Sequence, residues 1–577
     1  MTNKERAPWR IEGSSMNSRT SKARKLRRKF HRKEKGLTGP VRPEPITIFG
    51  RYMGSESVYR RDSVLRRLTV PNKTPNITRI GKSISILSNG LDPAKWDYES
   101  LPVLLQELEL SYLEKMGPRT IYDPVRMEKT IRELTSPKMG NFRGNDLRVA
   151  IENVHRKLAN LPKIPLPVGP AYAALLVRQK ETSAGFPWYM HRDAVMYQYM
   201  PDDWRRQNPE RDTKAGFEFT ELRGMLDPVQ SVERIRQGEE ISPPVYTANF
   251  RTESGGSTPK LRLVWAAPLD NQILEAMWAV PVQQVLKYDN YEADKYFGSM
   301  FMYSSEYLQM NLLRDMFSYA EDNNLQVISA DYSAFDTTIS ESLIREAFRI
   351  LIGESKEATL VANRFIVKKL LSPWGINEVR GMVPSGSVFT NLIDSVVNAI
   401  ILEYIAIRTS QDVAYRVNGD DSVAVFSESI SDPELEIYSS ELGIDMNPSK
   451  QARSKNSCQF NKSYWGFEYE GSVPSANRVI NSLVNRDSML EGWGMSANEE
   501  CVRSIQVLDR LAYHPWRDQV LETIYRFSFL DDGHSALDYR WRLPRSTLRE
   551  VVEDGEHIDM SSYVAKLDQT FWAKIYE

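Results

Sequence analysis

Val413, Tyr415 and Val417 alternate with Ala414 and Arg416, and the alternation resumes at Val423 and Val425. Period-two patterning on both sides of Asn418–Gly419 predicts two strands joined by a tight turn. Asp420 and Asp421 then fall at or just past the turn, at a sheet edge. Further upstream, Leu325–Ala330 reads as a strand that Asp331 ends. A helix follows, with a buried stripe at Leu343/Ile344, Ala347/Phe348 and Leu351/Ile352. Thr338 and Glu341 have the spacing of a capping box at its start. "PSGS" at Pro384–Ser387 predicts a small turn before an apolar helix over Phe389–Ile407, with Ser385 or Ser387 as its cap.

The same patterning sketches the rest of the chain. Residues 36–80, rich in Pro, Gly and Arg, predict a linker or extended strap. Helical spacing of apolar residues runs from about 98 to 160, as in "LPVLLQELELSYLEKM". Mixed, loop-rich sequence fills 161–267, and 268–470 alternates helices with short apolar strands. From 475 onward helical patterns return, with Trp493, Trp516, Trp541 and Trp572 expected as core residues of a mainly helical lobe.

Composition narrows the class. The 577 residues are 41% hydrophobic and 26% charged, as in ordinary globular chains. No run of about 18 apolar residues predicts a membrane span, and the polar, basic N-terminus is not a secretory signal. Two cysteines, Cys458 and Cys501, cannot build a disulfide framework and fit a reducing compartment. Neither HExxH nor CxxC spacing is present, which argues against structural zinc. The absence of G-x-S-x-G argues against a serine hydrolase elbow. Net charge is −1, yet Met1–Lys35 holds 13 Lys+Arg against 3 Asp+Glu, a balance of +10 that leaves −11 for the remainder. "SKARKLRRKFHRKEK" (Ser21–Lys35) carries nine of those cations. It reads equally as a solvated tail, a phosphate-seeking arm or a nuclear address.

Alone, Asp420–Asp421 is an Asx-rich turn as readily as a site. Asp331 and Asp336, flanking a strand-to-helix turn, change that balance if Asp331 comes beside Asp420 from a neighbouring strand. Two carboxylates about 4 Å apart repel by roughly 4 kcal/mol at an effective dielectric of about 20. A divalent cation offsets that repulsion, and Mg²⁺ takes one or two carboxylates together with substrate phosphates. Phosphoryl transfer on a nucleotide is the chemistry such a cluster suits.

Asp331-x₄-Asp336, Ser385-Gly386-x₃-Thr390 and Gly419-Asp420-Asp421, in that order, resemble motifs A, B and C of viral RNA-dependent RNA polymerases. Separations of 50 residues (Asp336 to Gly386) and 34 (Gly386 to Asp420) make the set specific. "GMVPSGSVFTNLIDSVVN" with "NGDDS" looks most like the enzymes of partitiviruses and picobirnaviruses. The resemblance spans about 180–470.

It implies an α/β (α+β) right-hand fold with fingers, an antiparallel palm sheet backed by helices, and a helical thumb. The implied segments are a basic arm and linker (1–60), fingers with an N-terminal bridging segment (61–267), palm with motif A (268–335), a palm/fingers insertion (336–385), palm with motifs B to E (386–474) and thumb (475–577). It implies two-metal nucleotidyl transfer from NTPs to an RNA 3′ end, replicating and transcribing a viral RNA genome. Asp331 and Asp420 would ligate two Mg²⁺ ions, Mn²⁺ being a substitute, with Asp421 assisting.

Asp336 would accept a hydrogen bond from the ribose 2′-hydroxyl, or else be a helix N-terminal carboxylate. Ser385, Gly386 and Thr390 would lie near template, nascent strand and ribose. Relatives often carry Asn where Asp394 stands, and Asn398, one turn on, is the stand-in for the ribose contact. Lys260 and Arg262, on one side of a strand, resemble the phosphate-binding motif F, with Arg251 a further candidate. Thr182, Ser183 and Gly185 in "ETSAGFPW" resemble the motif G loop at the template entrance, a Gly-Pro turn being the alternative. "ELGIDMNPSKQ" resembles motif D, with Lys450 as general acid for pyrophosphate or an exposed turn lysine. "CQFNKSYWGF" resembles the hairpin that grips the primer strand.

The implied partners are RNA template and product, NTPs, and a capsid protein reached by the basic arm. The implied location is the virion interior or host cytoplasm. Two other functions fit parts of the pattern. A reverse transcriptase shares the chemistry but usually shows Tyr-x-Asp-Asp. A non-catalytic RNA-binding or nucleocapsid protein accounts for the arm but not for the carboxylates.

Overall fold

The computed structural model describes residues 96–116, 123–158, 166–177, 184–186, 206, 227–239, 242–253, 260–292, 306–446, 451–484 and 510–520. The basic arm, Trp493, Trp541, Trp572, Cys501, Thr182, Ser183 and Lys450 lie outside them.

The helices used below are α1 (Val103–Leu113), α2 (Gly144–Leu158), α3 (Leu269–Glu292), α4 (Glu306–Asp322), α5 (Phe335–Thr338), α6 (Glu341–Ile352), α7 (Lys356–Ile366), α8 (Thr390–Arg408), α9 (Asp432–Glu441) and α10 (Ala476–Val484). The strands are β1 (Val245–Glu253), β2 (Lys260–Ala266), β3 (Val327–Ala330), β4 (Val367–Ser372), β5 (Gly375–Arg380), β6 (Val413–Asn418), β7 (Asp421–Phe426), β8 (Ala452–Ser454), β9 (Ser457–Phe460), β10 (Ser463–Gly466) and β11 (Val473–Pro474).

Three sheets result. An antiparallel sheet in the order β6-β7-β3-β8 is the central one. A second, β2-β1-β4-β5, joins segments more than a hundred residues apart through the parallel pair β1/β4. A short meander, β11-β10-β9, completes the set.

The central sheet is packed on both sides. Val327, Val423 and Val425 meet Leu313, Phe317, Phe460 and Trp465 on one face. Ala424, Phe426 and Val417 meet the large helical core on the other. Alternation along β6 and β7 sorts these side chains. Helix α8 lies at the centre of that core, against α2, α6, α9 and β6, and is buried almost all round. By length and composition it could cross a membrane, yet 83% of its apolar window is buried inside this fold. Its polar Glu403 is satisfied there by Lys157 at 2.5 Å and Asn153 at 3.0 Å.

Three local expectations fail. Helix α8 starts behind Phe389 with no side-chain cap, so neither Ser385 nor Ser387 caps it. The capping box at Thr338 does not form, because Thr338 ends α5 and turns its hydroxyl onto the Phe335 carbonyl. Ile339 is extended, and the chain restarts at Ser340, whose hydroxyl caps the Leu343 amide. The stripe of α6 is buried as patterned, with Ile350 added. The tight turn shifts by one residue: Asn418 pairs with Asp421, so Gly419 and Asp420 are the turn.

On the far side, α1 packs on α10 around Glu109, which is fully buried. Its carboxylate accepts from Ser475 Oγ and from the Ala476 and Asn477 amides, capping α10, and meets His514 Nε2 at 2.8 Å. Trp516 is buried beside it against Trp96 and Tyr98. This is the one expected tryptophan of the C-terminal segment within the described residues.

Candidate active site

The β3/β7 ladder ends at Ala330 opposite Ser422. One step further in the same register, Asp331 follows β3 where Asp421 opens β7. Gly419, at φ 63°, makes the turn that presents Asp420 at the exposed tip. The two adjacent carboxylates are thus delivered by one hairpin, and Asp331 by the strand beside it.

Their mutual effect is visible on Asp421. Burial, then the charges of Asp420 and Asp331, push its carboxyl up to about 7, against the opposing pull of Lys462 and Arg478. Asp336 is raised to about 6 by burial and by Asp420, with Arg262 pulling the other way. Asp394, on the buried face of α8, shares a hydrogen bond with Asp336 and is pushed well above the usual range by burial, Asp336 and Asp420. A protonated Asp394 that donates to Asp336 satisfies both directions. Five carboxyls therefore share one field.

The donor set is all hard oxygen, which suits a divalent cation of the Mg²⁺ class. Among the described residues no group of three acidic, His or Cys side chains stands ready-made around one ion point.

The turn is held from behind by α8. Asn398, fully buried, donates through Nδ2 to the carbonyls of Gly419 (3.1 Å), Asp420 (3.2 Å) and Asp421 (3.4 Å). Its Oδ1 accepts from Tyr332 OH at 2.8 Å. Asn398 is thus a brace for the turn and not an open ribose contact, which corrects the expectation. Ser395 Oγ accepts from the Gly419 amide at 2.8 Å. In front, Asn418 accepts from Asn391 and donates to Asn461, each at 3.0 Å. Asn461 and Lys462, both at positive φ, form the turn between β9 and β10, so "CQFNKSYWGF" is the expected hairpin.

The Pro384–Ser387 loop is docked on β2. Ser385 is exposed, and its Oγ accepts from the Trp265 amide at 3.1 Å. A Cβ at Gly386 would sit 1.9 Å from the Trp265 carbonyl oxygen, so the close approach that needs glycine is to the protein's own strand, not to a ligand. Thr390 spends its hydroxyl on the carbonyls of Pro384 and Ser387, at 2.8 and 2.9 Å, and closes the loop instead of facing a ribose. Gly185 is likewise buried at φ 70°, where a Cβ would meet the Ala267 carbonyl at 2.6 Å. It fits Ala184–Phe186 to the end of β2.

Arg251 and Arg262 are both exposed and directly opposed across β1 and β2. Like charges in that register cost stability, so an anion is favoured between them. Lys260, opposite Glu253, shares the strand, but its side chain lies outside the described set.

A family model for viral RNA-dependent RNA polymerase matches residues 232–523, which contain the carboxylates, the Pro384–Ser387 loop and the β1/β2 arginines. The chain belongs to that family. A potential RNA-dependent RNA polymerase of human picobirnavirus is 23% identical over 366 residues, covering 60% of this chain and 62% of the relative. The RNA-directed RNA polymerase of Cryptosporidium parvum virus 1 is 27% identical over 212 residues, 33% of this chain and 38% of the relative. The genome polyprotein of hepatitis A virus genotype IIA is 30% identical over 183 residues, 30% of this chain and 8% of the polyprotein.

The chain therefore spans under two thirds of these curated relatives' lengths. A crystal structure of a human picobirnavirus RNA-dependent RNA polymerase superposes with a TM-score of 0.64 at 18% identity, covering 85% of this chain and 90% of that one. The fold is that of a right-hand viral polymerase.

Sequence patterning missed several members of this polymerase-family site. Tyr332, Ser395, Lys462 and Arg478 act through tertiary neighbours, and nothing in their local spacing marks them. Glu275 has a signal: it is a lone carboxylate within the apolar run "ILEAMWAV".

Proposed function

We propose that this chain is an RNA-directed RNA polymerase that joins NTPs to an RNA 3′ end. The observation that supports the reading is that β3 and β7 carry Asp331 and the Asp420–Asp421 turn to one end of the sheet, where burial and the charges of Asp420 and Asp331 disfavour the Asp421 anion. Asp331, Asp420 and Asp421 would hold Mg²⁺, with Mn²⁺ as a substitute. When bound, such ions neutralise triphosphate charge and make a hydroxyl a better nucleophile.

The chain's own groups divide the remaining work. Arg262 and Arg251, with Lys260 beside them, hold the incoming triphosphate by bidentate, charge-assisted hydrogen bonds. Asp336, kept in place by Asp394, accepts from the ribose 2′-hydroxyl, the group that separates RNA from DNA precursors. Lys462 and Arg478, whose charges act on Asp421, supply cations for the nascent strand's phosphates. Lys450 donates the proton to departing pyrophosphate.

Residues 61–267 supply fingers, 268–335 and 386–474 palm with 336–385 a palm/fingers insertion, and 475–577 thumb. The arm at 1–60 binds RNA or a capsid protein, and the enzyme works in the virion interior or host cytoplasm on a viral RNA genome. The test is incorporation of radiolabelled NTPs on single- and double-stranded RNA, with and without Mg²⁺, against dNTPs. Metal-dependent, template-dependent use of NTPs is expected. Preference for dNTPs would make it a reverse transcriptase, and no incorporation on any template would leave an RNA-binding protein.

A further inference from the structure

Glu275 is 1% exposed on α3 and faces the motif B loop from below. Burying a carboxylate costs several kcal/mol unless its oxygens are satisfied. Here four donors converge on it. Oε2 accepts from Ser387 Oγ at 2.6 Å and from the Val388 amide at 2.9 Å. Oε1 accepts from Asn271 Nδ2 at 2.7 Å and from Tyr246 OH at 3.4 Å. Asn271 is itself fixed, since its Oδ1 accepts from Arg364 Nε at 3.1 Å.

The other end of the loop is held as firmly. Lys368, fully buried, donates to the carbonyls of Phe365 (2.8 Å), Gly381 (2.6 Å) and Met382 (2.9 Å). Met382 sits at φ 56°, a conformation that costs a non-glycine residue about 1 kcal/mol and persists only where its surroundings over-determine it. Between the two clamps lies Ser385, exposed, with Gly386 pressed on Trp265. Trp265 is three residues along β2 from Arg262, and Tyr246 is on β1, the strand of Arg251. The loop is therefore seated on the β1/β2 ladder, the element that also carries Arg262 and Arg251.

We propose that Glu275 is a positioning residue: by fixing Ser387 and Val388 it sets the register in which the exposed loop meets the RNA beside Asp420. The proposal rests on the polymerase reading. It commits to RNA as the species affected, because Ser387 and the Val388 amide, both in the loop, hold Oε2 at 2.6 and 2.9 Å, whereas the β1/β2 ladder that carries Arg262 meets Glu275 only by the longer Tyr246 bond of 3.4 Å.

Two variants test it. Glu275→Gln keeps the shape but turns an amide N–H toward either the Val388 amide or Asn271 Nδ2, which are both donors. Ser387→Ala removes the bond to Glu275 and the one that Ser387 Oγ accepts from the Phe389 amide, and leaves Glu275 three donors. Each is expected to raise the apparent KM for template RNA about tenfold and to weaken RNA binding by fluorescence anisotropy equally, the mark of lost uniform binding when the loop meets the strand out of register. KM for NTP and kcat at saturating RNA are expected to stay within about threefold.

A loop role that is only structural would instead lower the melting temperature and kcat and leave both RNA readouts unchanged. That pattern, or a folded Ser387→Ala protein with unaltered RNA KM and affinity, overturns the proposal. If Glu275→Gln does not fold, Ser387→Ala decides alone. Failure of the parent chain to incorporate any nucleotide sinks the polymerase reading separately, and the anisotropy comparison then decides the positioning role.

Discussion

Asn398 holds Asp420 by its backbone: the amide Nδ2 lies 3.2 Å from the Asp420 carbonyl and reaches the carbonyls on either side of it. The carboxylate at the turn tip is thus left unencumbered for chemistry while its main chain is anchored to the core helix. The anchor is itself oriented, because Tyr332 donates to Asn398 Oδ1 and so fixes which way the amide faces.

Replacing Asn398 by Ala leaves three carbonyls and the Tyr332 hydroxyl without that partner. A loss of about 1–3 kcal/mol in urea unfolding is expected, with incorporation falling at least about tenfold even though every carboxylate remains. Unchanged turnover in a folded variant would show that the turn holds its shape unaided.

Asp331→Ala or Asp420→Ala is expected to reduce incorporation by at least about a thousandfold, equivalent to about 4 kcal/mol of transition-state stabilisation. The melting temperature should hold or rise, since each change removes one charge acting on a crowded, partly buried group. Retained activity in either purified variant would refute the metal assignment.

Asp394→Asn yields a pH signature. Asp336 is raised to about 6 from 3.8, so between those values the folded state keeps a proton that the unfolded state has released. Its contribution therefore lowers stability as pH rises from about 4 to about 6, and the deficit persists above that. Asp394 is raised in the same direction by burial and by Asp336 and Asp420, and an Asn at 394 still donates to Asp336 but has no proton to keep, so the deficit that Asp394 itself contributes disappears. Urea midpoints should show the variant more stable than the parent at about pH 8, with the gap closing toward about pH 4. A gap that is constant with pH would exclude the carboxyl pair as its source.

Arg262→Ala should raise the KM for NTP with kcat little changed, the mark of lost ground-state phosphate binding. Arg251→Ala, directly across the ladder, should do the same and should raise stability slightly by relieving the like-charge pair. Steady-state kinetics at saturating RNA reads both.

Local periodicity by itself determined the hairpin of β6 and β7, the strand before Asp331, the stripe of α6 and the placing of three acidic side chains at strand ends. Those features depend on residues one to four apart, and period two or 3.6 is written directly in the chain. The resemblance set Gly185 and Gly386 beside RNA, but only the packed structure showed that each is pressed on the backbone at the end of β2. Thr338 had the spacing of a cap, and the break at Ile339 gave that role to Ser340. Asn398, Thr390 and Glu275 found their partners across segments that are distant in sequence or folded back on themselves. A hydrogen-bonding group carries no record of which partner it will meet, so those roles were decided when α3 and α8 packed against the loop and the turn.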